Sequence, residues 1–126
     1  MKIAELRREL SHRLSLDIND DYGTEESWNK LTEMLAENVN ETIAFLNNEC
    51  TDEEFFWFSE EFSDVSERVQ SKELVDAMRA RLSRVTRETY DQASFKSEHI
   101  RKWVDYDEYV RSVGTEIDYA EGALNE

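Results

Sequence analysis

The apolar residues of this 126-residue chain recur at intervals of three and four, the period of a helix with one buried side. A half-buried strand would need strict alternation of apolar and polar residues, and no segment sustains it. The chain has no proline, three glycines and none of the Asn-Gly, Asp-Gly or Gly-Gly pairs typical of tight hairpins. The sequence therefore predicts an all-α fold.

The length fits a single domain over residues 1–126. We expect about six to seven helices in stacked antiparallel hairpins, forming either a compact bundle or a short curved array. The predicted N-caps are Thr24, Asn38 or Asn40, Thr51 (with Glu54 in a capping box), Ser71, and Asp105 or Asp107. Gly114 lies inside the last helix, where it costs about 1 kcal/mol relative to alanine, so we expect that helix to break there.

Apolar stripes predict the core, and charged stripes predict the solvated sides. Leu14 continues the stripe of the first helix, and Ile100 and Trp103 are the expected core residues of the segment 94–104. The arginines of the segment 72–87 are expected to lie on a solvated face and to pair with acids of a neighbouring helix. These are Arg79, Arg81, Arg84 and Arg87.

The net charge of −15 restricts the possible partners. Nucleic acid and anionic membrane surfaces need Lys and Arg at the contact, so both are disfavoured. No apolar run approaches the roughly 20 residues of a membrane span. The acidity is concentrated in residues 51–70 and 103–126, which flank a basic segment, residues 71–102. A basic protein is the partner that such a field attracts.

Two features of the sequence predict the cellular compartment of the protein. The N-terminal segment lacks the continuous apolar core of a signal peptide and resembles an amphipathic helix. Cys50 is the only cysteine, so no intramolecular disulfide can form. Both features predict a cytoplasmic protein.

Residue types that carry catalysis are scarce, so we expect neither an enzyme nor a cofactor. There is no Gly-rich phosphate loop and no zinc-ligand spacing. His12 and His99 are the only histidines, and pairing of either one with Cys50 stays open because such pairs form across sequence distance.

Two segments partly match the ligand patterns of metal sites, one for calcium and one for a di-iron centre, but neither pattern is complete. The stretch that begins at Asp17 loosely resembles a calcium loop, but Tyr22 replaces the glycine of the sharp turn and Trp28 replaces the bidentate glutamate. A di-iron bundle needs two Glu-x-x-His motifs. Glu9 and His12 form one such motif, and the second is absent.

The segment 51–75 combines aromatic and acidic residues. On a helix, Phe55, Phe58 and Phe62 fall on the core side, and Trp57 falls among acids on the other. Trp57 is either a second core contact or an aromatic anchor for a basic partner. The predicted partner-binding residues are Glu53, Trp57, Glu60, Glu61 and Asp64, with Tyr106, Asp107 and Glu108 as a second patch.

The run NNECTDEEFFWFSEEFSDVSERVQSKELVDAM resembles small acidic helical immunity proteins encoded beside bacterial secreted or contact-dependent toxins. The resemblance implies a protein that binds one cognate toxin and blocks it. A nuclease-type toxin is expected to be basic where it grips phosphate. The alternative is a non-catalytic helical adaptor or regulatory subunit that binds another basic protein.

Overall fold

The computed structural model describes residues 1–17 and 19–125, and all regular structure in them is helical. The helices are α1 (Ile3–Ser15), α2 (Asp21–Ala36), α3 (Val39–Asn48), α4 (Asp52–Phe58), α5 (Phe62–Val69), α6 (Lys72–Ser83), α7 (Arg87–Gln92), α8 (Glu98–Trp103) and α9 (Tyr106–Gly122). The all-α prediction is confirmed. The helix predicted to begin after Thr51 is divided by a 3₁₀ turn, Ser59–Glu61, which joins α4 to α5.

One hydrophobic core holds the helices together. Helix α5 lies between α2 and α9, α1 packs on α2, and α6 packs on both α3 and α9. Each of the nine described helices contributes at least one residue to a single buried cluster. A continuous core of this kind is that of a compact bundle rather than a curved array. None of the described helices is both long and apolar enough to cross a membrane.

Side-chain caps begin four of the nine described helices at the predicted positions. Asn38, Thr51, Ser71 and Asp105 each accept a hydrogen bond from a backbone N–H of the first turn. The capping box of Thr51 and Glu54 is confirmed, with both reciprocal bonds present. These caps depend only on residues three positions apart, which is why the sequence predicts them well.

The predicted Thr24 cap is wrong. Helix α2 begins at Asp21, and the side chain of Asp20 accepts a hydrogen bond from the Gly23 N–H at 2.8 Å. A Cβ at Gly23 would lie 2.4 Å from Oδ2 of Asp20. Glycine at this position therefore allows the cap to approach the first turn.

Three expectations about burial are also wrong. Leu14 is 41% exposed and Trp103 is 73% exposed, although both were predicted to join the core. Trp103 is the last residue of the short helix α8, and its neighbour Val104 is buried instead. Arg81 is 7% exposed, whereas the other arginines of its stripe are exposed as predicted.

The predicted break at Gly114 does not occur, because α9 continues through it to Gly122. A Cβ at Gly114 would meet only Cδ2 of Leu82, at an ordinary 3.9 Å. We therefore expect Gly114→Ala to raise the free energy of unfolding by about 1 kcal/mol, because alanine has less backbone freedom to lose on folding. Urea denaturation measures the change. Gly23→Ala is the matched control, and it should destabilise the protein because its Cβ would collide with Asp20.

Candidate partner-binding surfaces

Glu53 and Trp57 belong to one groove, and both have contacts within the chain. The Glu53 carboxylate accepts hydrogen bonds from the backbone N–H groups of Lys96 at 3.1 Å and Ser97 at 2.7 Å. It thereby fastens the segment before α8 to α4. Trp57 is half-buried, and its ring centroid lies 5.8 Å from that of His99. The buried Nε1 of Trp57 has no acceptor within the described part of the chain.

Glu60 and Glu61 are adjacent but lie in different environments. Glu60 is partly exposed and pairs with Arg13 at 3.3 Å. Burial raises the pKa of Glu60, and the charge of Arg13 opposes that rise. Glu61 is 1% exposed, and its Oε2 has no hydrogen-bond partner among the described residues. Burial, with the nearby charge of Glu60 adding to it, raises the pKa of Glu61 to about 9.

Glu61 is therefore not accessible to a partner in this structure, and the surface position predicted for it is wrong. The sequence contained the signal for its burial. Glu61 lies three residues after Phe58 and four before Val65, and both of those are core residues. Helical spacing places the three side chains on one side of the chain.

The second predicted patch has its charges paired locally. Asp107 pairs with Arg87 at 2.8 Å, and the Arg87 guanidinium lies 4.9 Å from the ring centroid of Tyr106. The Tyr106 hydroxyl donates to the Val85 carbonyl at 3.3 Å. Glu108 pairs with Arg111, and this hydrogen-bonded pairing lowers the pKa of Glu108. No hydrogen bond or salt bridge of the described residues joins this patch to Glu60 or Asp64.

Asp64 belongs to a broader surface on α2, α5 and α9. Its exposed carboxylate accepts a hydrogen bond from Nε1 of Trp28 at 2.7 Å, which joins α5 to α2. Burial raises the pKa of Glu116 on α9, and the charges of Glu60 and Asp64 add to that rise, so these acids act on one another. Tyr119, 61% exposed, lies one turn beyond Glu116. The acidic face is defined here by Glu25, Trp28, Glu60, Asp64, Glu67, Glu116 and Tyr119.

The acidic face is strongly negative. Five of its seven residues are acids and none is a base, and Arg13 pairs with one of the five, Glu60. Of the three bases on α2, α5 and α9, Lys30 pairs with Glu26 and Arg111 pairs with Glu108, each within its own helix, and the third is Arg68. Over residues 1–17 and 19–125, no salt bridge involves Asp64, Glu67 or Glu116. These carboxylates are free to attract a cationic group.

Aromatic side chains accompany these acids. Trp28 is half-buried and borders a shallow depression of about 380 Å³, which Asp21, Thr24, Glu25 and Asn29 also line. Tyr22, on the first turn of the same helix, is 80% exposed. The sequence analysis assigned Trp28 only to an apolar stripe and missed its bond to Asp64, because the two residues are 36 positions apart.

A separate groove of about 960 Å³ runs between α1, α4 and the segment that leads into α8. Leu10 and Leu14 line one side, Trp57 lies on α4, and Phe95 and His99 line the other side. This groove is the larger of the two concavities described here and was not predicted from the sequence. Its walls come from segments more than 35 residues apart, so no local pattern could have indicated it.

The environment of Cys50 does not favour the nucleophilic Cys-His pair that the sequence left open. The thiol is 8% exposed, and burial raises its pKa to about 12. A nucleophilic cysteine needs a depressed thiol pKa, so that the thiolate is present at neutral pH. Cys50 is instead a small core residue, with its Sγ 3.4 Å from the Thr51 carbonyl oxygen.

Glu9 of the partial di-iron pattern and Asp17 of the partial calcium loop both accept hydrogen bonds within the chain. Glu9 accepts a hydrogen bond from the Ser27 hydroxyl at 2.7 Å, and Asp17 accepts one from the Asn19 N–H at 2.8 Å. Within the described ranges, no group of three or more His, Cys, Asp or Glu side chains is arranged to hold a metal ion.

No protein-family model matches this chain, and no similar curated protein or solved structure was found. The two surfaces described above are therefore the basis on which a function can be proposed.

Proposed function

We propose that this protein is an immunity protein that binds and neutralises a basic bacterial toxin through its acidic face. The observation that carries the proposal is the combination of an exposed aromatic side chain, Tyr119, with the carboxylates of Asp64, Glu67 and Glu116, which form no salt bridge among the described residues. The resemblance of the segment from Asn47 to immunity proteins supports the same function. The complex would form in the cytoplasm, one protein to one toxin.

The acidic face has the composition of a surface that selects a basic protein. Aromatic residues are enriched among the side chains that dominate interface binding energy. Acids around them accelerate association with a basic partner and disfavour partners of the wrong charge. A nuclease-type toxin would offer the complementary surface, because its substrate cleft must carry Lys and Arg to hold phosphate.

The proposed surface revises the predicted one. Glu60 and Asp64 remain, while Trp28 and Tyr119 take the place of Trp57 as aromatic contacts. Glu61 is excluded because it is buried. Asp107 and Glu108 are excluded because arginines pair with them and no hydrogen bond or salt bridge of the described residues joins them to Asp64. Glu60 also pairs with an arginine, Arg13, and it is kept because its charge acts on Glu116.

Charge reversal on the acidic face tests the proposal. The triple variant Asp64→Lys, Glu67→Lys and Glu116→Lys should associate at least about tenfold more slowly with the toxin encoded next to this gene, because charges at an interface mainly affect the association rate. The rate should also lose most of its dependence on salt. Stopped-flow fluorescence at several salt concentrations measures both effects.

The matched control carries the same change of net charge elsewhere, at Glu37→Lys, Asp76→Lys and Asp91→Lys. These three acids are exposed, lie outside the acidic face and form no described salt bridge. Equal association rates for the two triple variants would refute the choice of surface. Binding of a basic protein that is not a toxin, with no protection of cells from the neighbouring gene product, would favour the adaptor alternative.

A further inference from the structure

Glu61 is a buried acid that lies directly beside the acidic face. Its side chain is 1% exposed, and its Oε2 has no hydrogen-bond partner among the described residues. The preceding residue, Glu60, belongs to the acidic face and is partly exposed. Burying a carboxyl oxygen without a partner is costly, and it is far more costly when the carboxyl group is ionised. Burial, with the charge of Glu60 adding to it, therefore raises the pKa of Glu61 to about 9, and the group holds its proton at neutral pH.

Arg13 of α1 acts on both glutamates. Its Nη2 pairs with Oε2 of Glu60 at 3.3 Å, while its Nε is buried and has no acceptor in residues 1–17 and 19–125. The positive charge of Arg13 opposes the rise in the pKa of both Glu60 and Glu61. We call Arg13, Glu60 and Glu61 the Arg13 cluster. The cluster contains an unused donor on Arg13 and an unused acceptor on Glu61.

The Arg13 cluster is electrically neutral only while one of its two carboxyl groups holds a proton. The arginine carries one positive charge, and ionised Glu60 carries one negative charge. Ionisation of Glu61 would add a second negative charge in a buried place, and a nearby like charge disfavours that ionisation. A second positive charge beside Glu60 would balance it. Such a charge and the proton of Glu61 therefore substitute for each other.

The groups that act on the cluster do not supply a second permanent positive charge. Asp64 on α5 adds to the rise in the pKa of Glu61. Burial and the charges of Glu60 and Asp64 raise the pKa of Glu116 on α9. His99 on α8 favours ionised Glu60, but only while its ring is protonated.

The other charged side chains on the elements that pack against the turn Ser59–Glu61 are exposed or already bound. On α4, the three acids are held by two arginines and by backbone N–H groups. Those of α2, α5 and α9 are exposed, apart from Glu108, which pairs with Arg111. They are Asp21, Glu25, Glu26, Lys30, Glu33, Glu67, Arg68, Asp107, Arg111, Asp118 and Glu121. A basic group of a partner is therefore the source that the structure leaves for the second charge.

We propose that binding of a basic side chain of the partner at Glu60 releases the proton of Glu61. This regulation rests on the proposed function of the acidic face. The O–H bond of the Glu61 carboxyl group breaks, the electron pair stays on the carboxylate, and the proton passes to the solvent. Nε of Arg13 then donates to Oε2 of Glu61, while the partner's cation pairs with Glu60. The protein therefore binds a basic partner more tightly as the pH rises from 7 to 9.

A peptide of six arginines, acetylated and amidated at its ends, tests the proposal without the toxin. Arginine stays charged at every pH used, so the peptide itself releases no proton. Titration calorimetry at pH 8 in two buffers of different ionisation enthalpy gives the number of protons released on binding. A cation that lowers the pKa of Glu61 from about 9 to about 8 releases about 0.4 proton per peptide at pH 8 and raises the affinity about fivefold from pH 7 to pH 9.

Two variants isolate the cluster. Glu61→Gln should bind the peptide without proton release and with nearly constant affinity over this pH range, because glutamine has no proton to lose. Arg13→Gln should also bind without proton release, since the buried carboxylate would have no donor. Arg7→Gln is the matched control, because Arg7 lies on the same helix and pairs with Glu54 outside the cluster. It should release protons as the natural protein does.

Proton release by Glu61→Gln equal to that of the natural protein would overturn the proposal. So would an affinity of the natural protein that is the same at pH 7 and pH 9, a result that depends on no variant. Either result concerns only Glu61 and leaves the acidic face in place. The acidic face itself would be wrong if the triple variant Asp64→Lys, Glu67→Lys and Glu116→Lys bound the peptide as tightly as the natural protein, or if no binding occurred at millimolar peptide. This proposal would then fall with it.

Discussion

Arg81→Ala is expected to lower the free energy of unfolding by about 3 kcal/mol. Arg81 is 7% exposed, pairs with Asp52 at 2.5 Å and donates to the Cys50 carbonyl at 2.9 Å. Its guanidinium also lies 5.4 Å from the ring centroid of Phe55. Removing the side chain leaves the carbonyl and the carboxylate without their donor. The loss falls at the lower end of the range for buried pairs because the Asp52 side chain is 20% exposed and can be hydrated.

The control for this prediction is Arg79→Ala, because Arg79 lies two residues before Arg81 on the same helix. Arg79 pairs with Asp118 at 3.1 Å and with Glu121 at 2.9 Å, but all three side chains are largely exposed. Exposed pairs contribute between about 0 and 1 kcal/mol, so this variant should be nearly neutral. Chemical denaturation of both variants measures the difference. Similar losses for the two would contradict a special role for the buried pair.

Glu61→Gln is expected to raise the free energy of unfolding by about 3 kcal/mol at pH 7. Burial raises the pKa of Glu61 from 4.5 to about 9, so the folded protein holds a proton that the unfolded chain has released at neutral pH. Taking up this proton costs about 1.4 kcal/mol for each pH unit above 4.5. Glutamine has the shape of the protonated acid and carries no such cost.

The stabilisation expected from Glu61→Gln increases with pH. Because the folded state binds the proton more tightly, the stability linked to Glu61 is complete below pH 4.5 and is lost progressively as the pH rises to about 9. The variant and the natural protein should therefore be equally stable near pH 4 and diverge up to pH 9. Glu67→Gln, at an exposed site of α5, is the control and should show no such divergence. A pH-independent difference for Glu61→Gln would refute this account.

The acids of this bundle lie in two different environments. On the acidic face, Asp64, Glu67 and Glu116 form no described salt bridge, and burial raises the pKa of Glu116, with the charges of Glu60 and Asp64 adding to that rise. In the groove, three acids form ion pairs within the chain and Glu53 accepts two backbone N–H groups; the three ion pairs are Asp52 with Arg81, Glu54 with Arg7 and Glu98 with Lys102. Net charge alone does not distinguish these two environments.

The fold and the site differ in how far the sequence could predict them. The helical period and the caps at Asn38, Thr51, Ser71 and Asp105 were predicted correctly, because each depends on residues three or four positions apart. Burial of Glu61 follows from the same spacing and could have been predicted. The bond between Trp28 and Asp64 could not, since it depends on how α2 packs against α5.

The sequence by itself determined that this chain forms helices, where four of the nine described helices begin, and that its surface is acidic. The tertiary structure decided which residues of the same type are buried and which contacts each of them makes. Arg81 is buried while Arg79 is exposed, and Trp28 joins the acidic face while Trp57 lines the groove. The physical reason is that helix formation depends on near neighbours along the chain. Burial and pairing depend on contacts such as Arg81 with Asp52, which only the packing of the helices brings together.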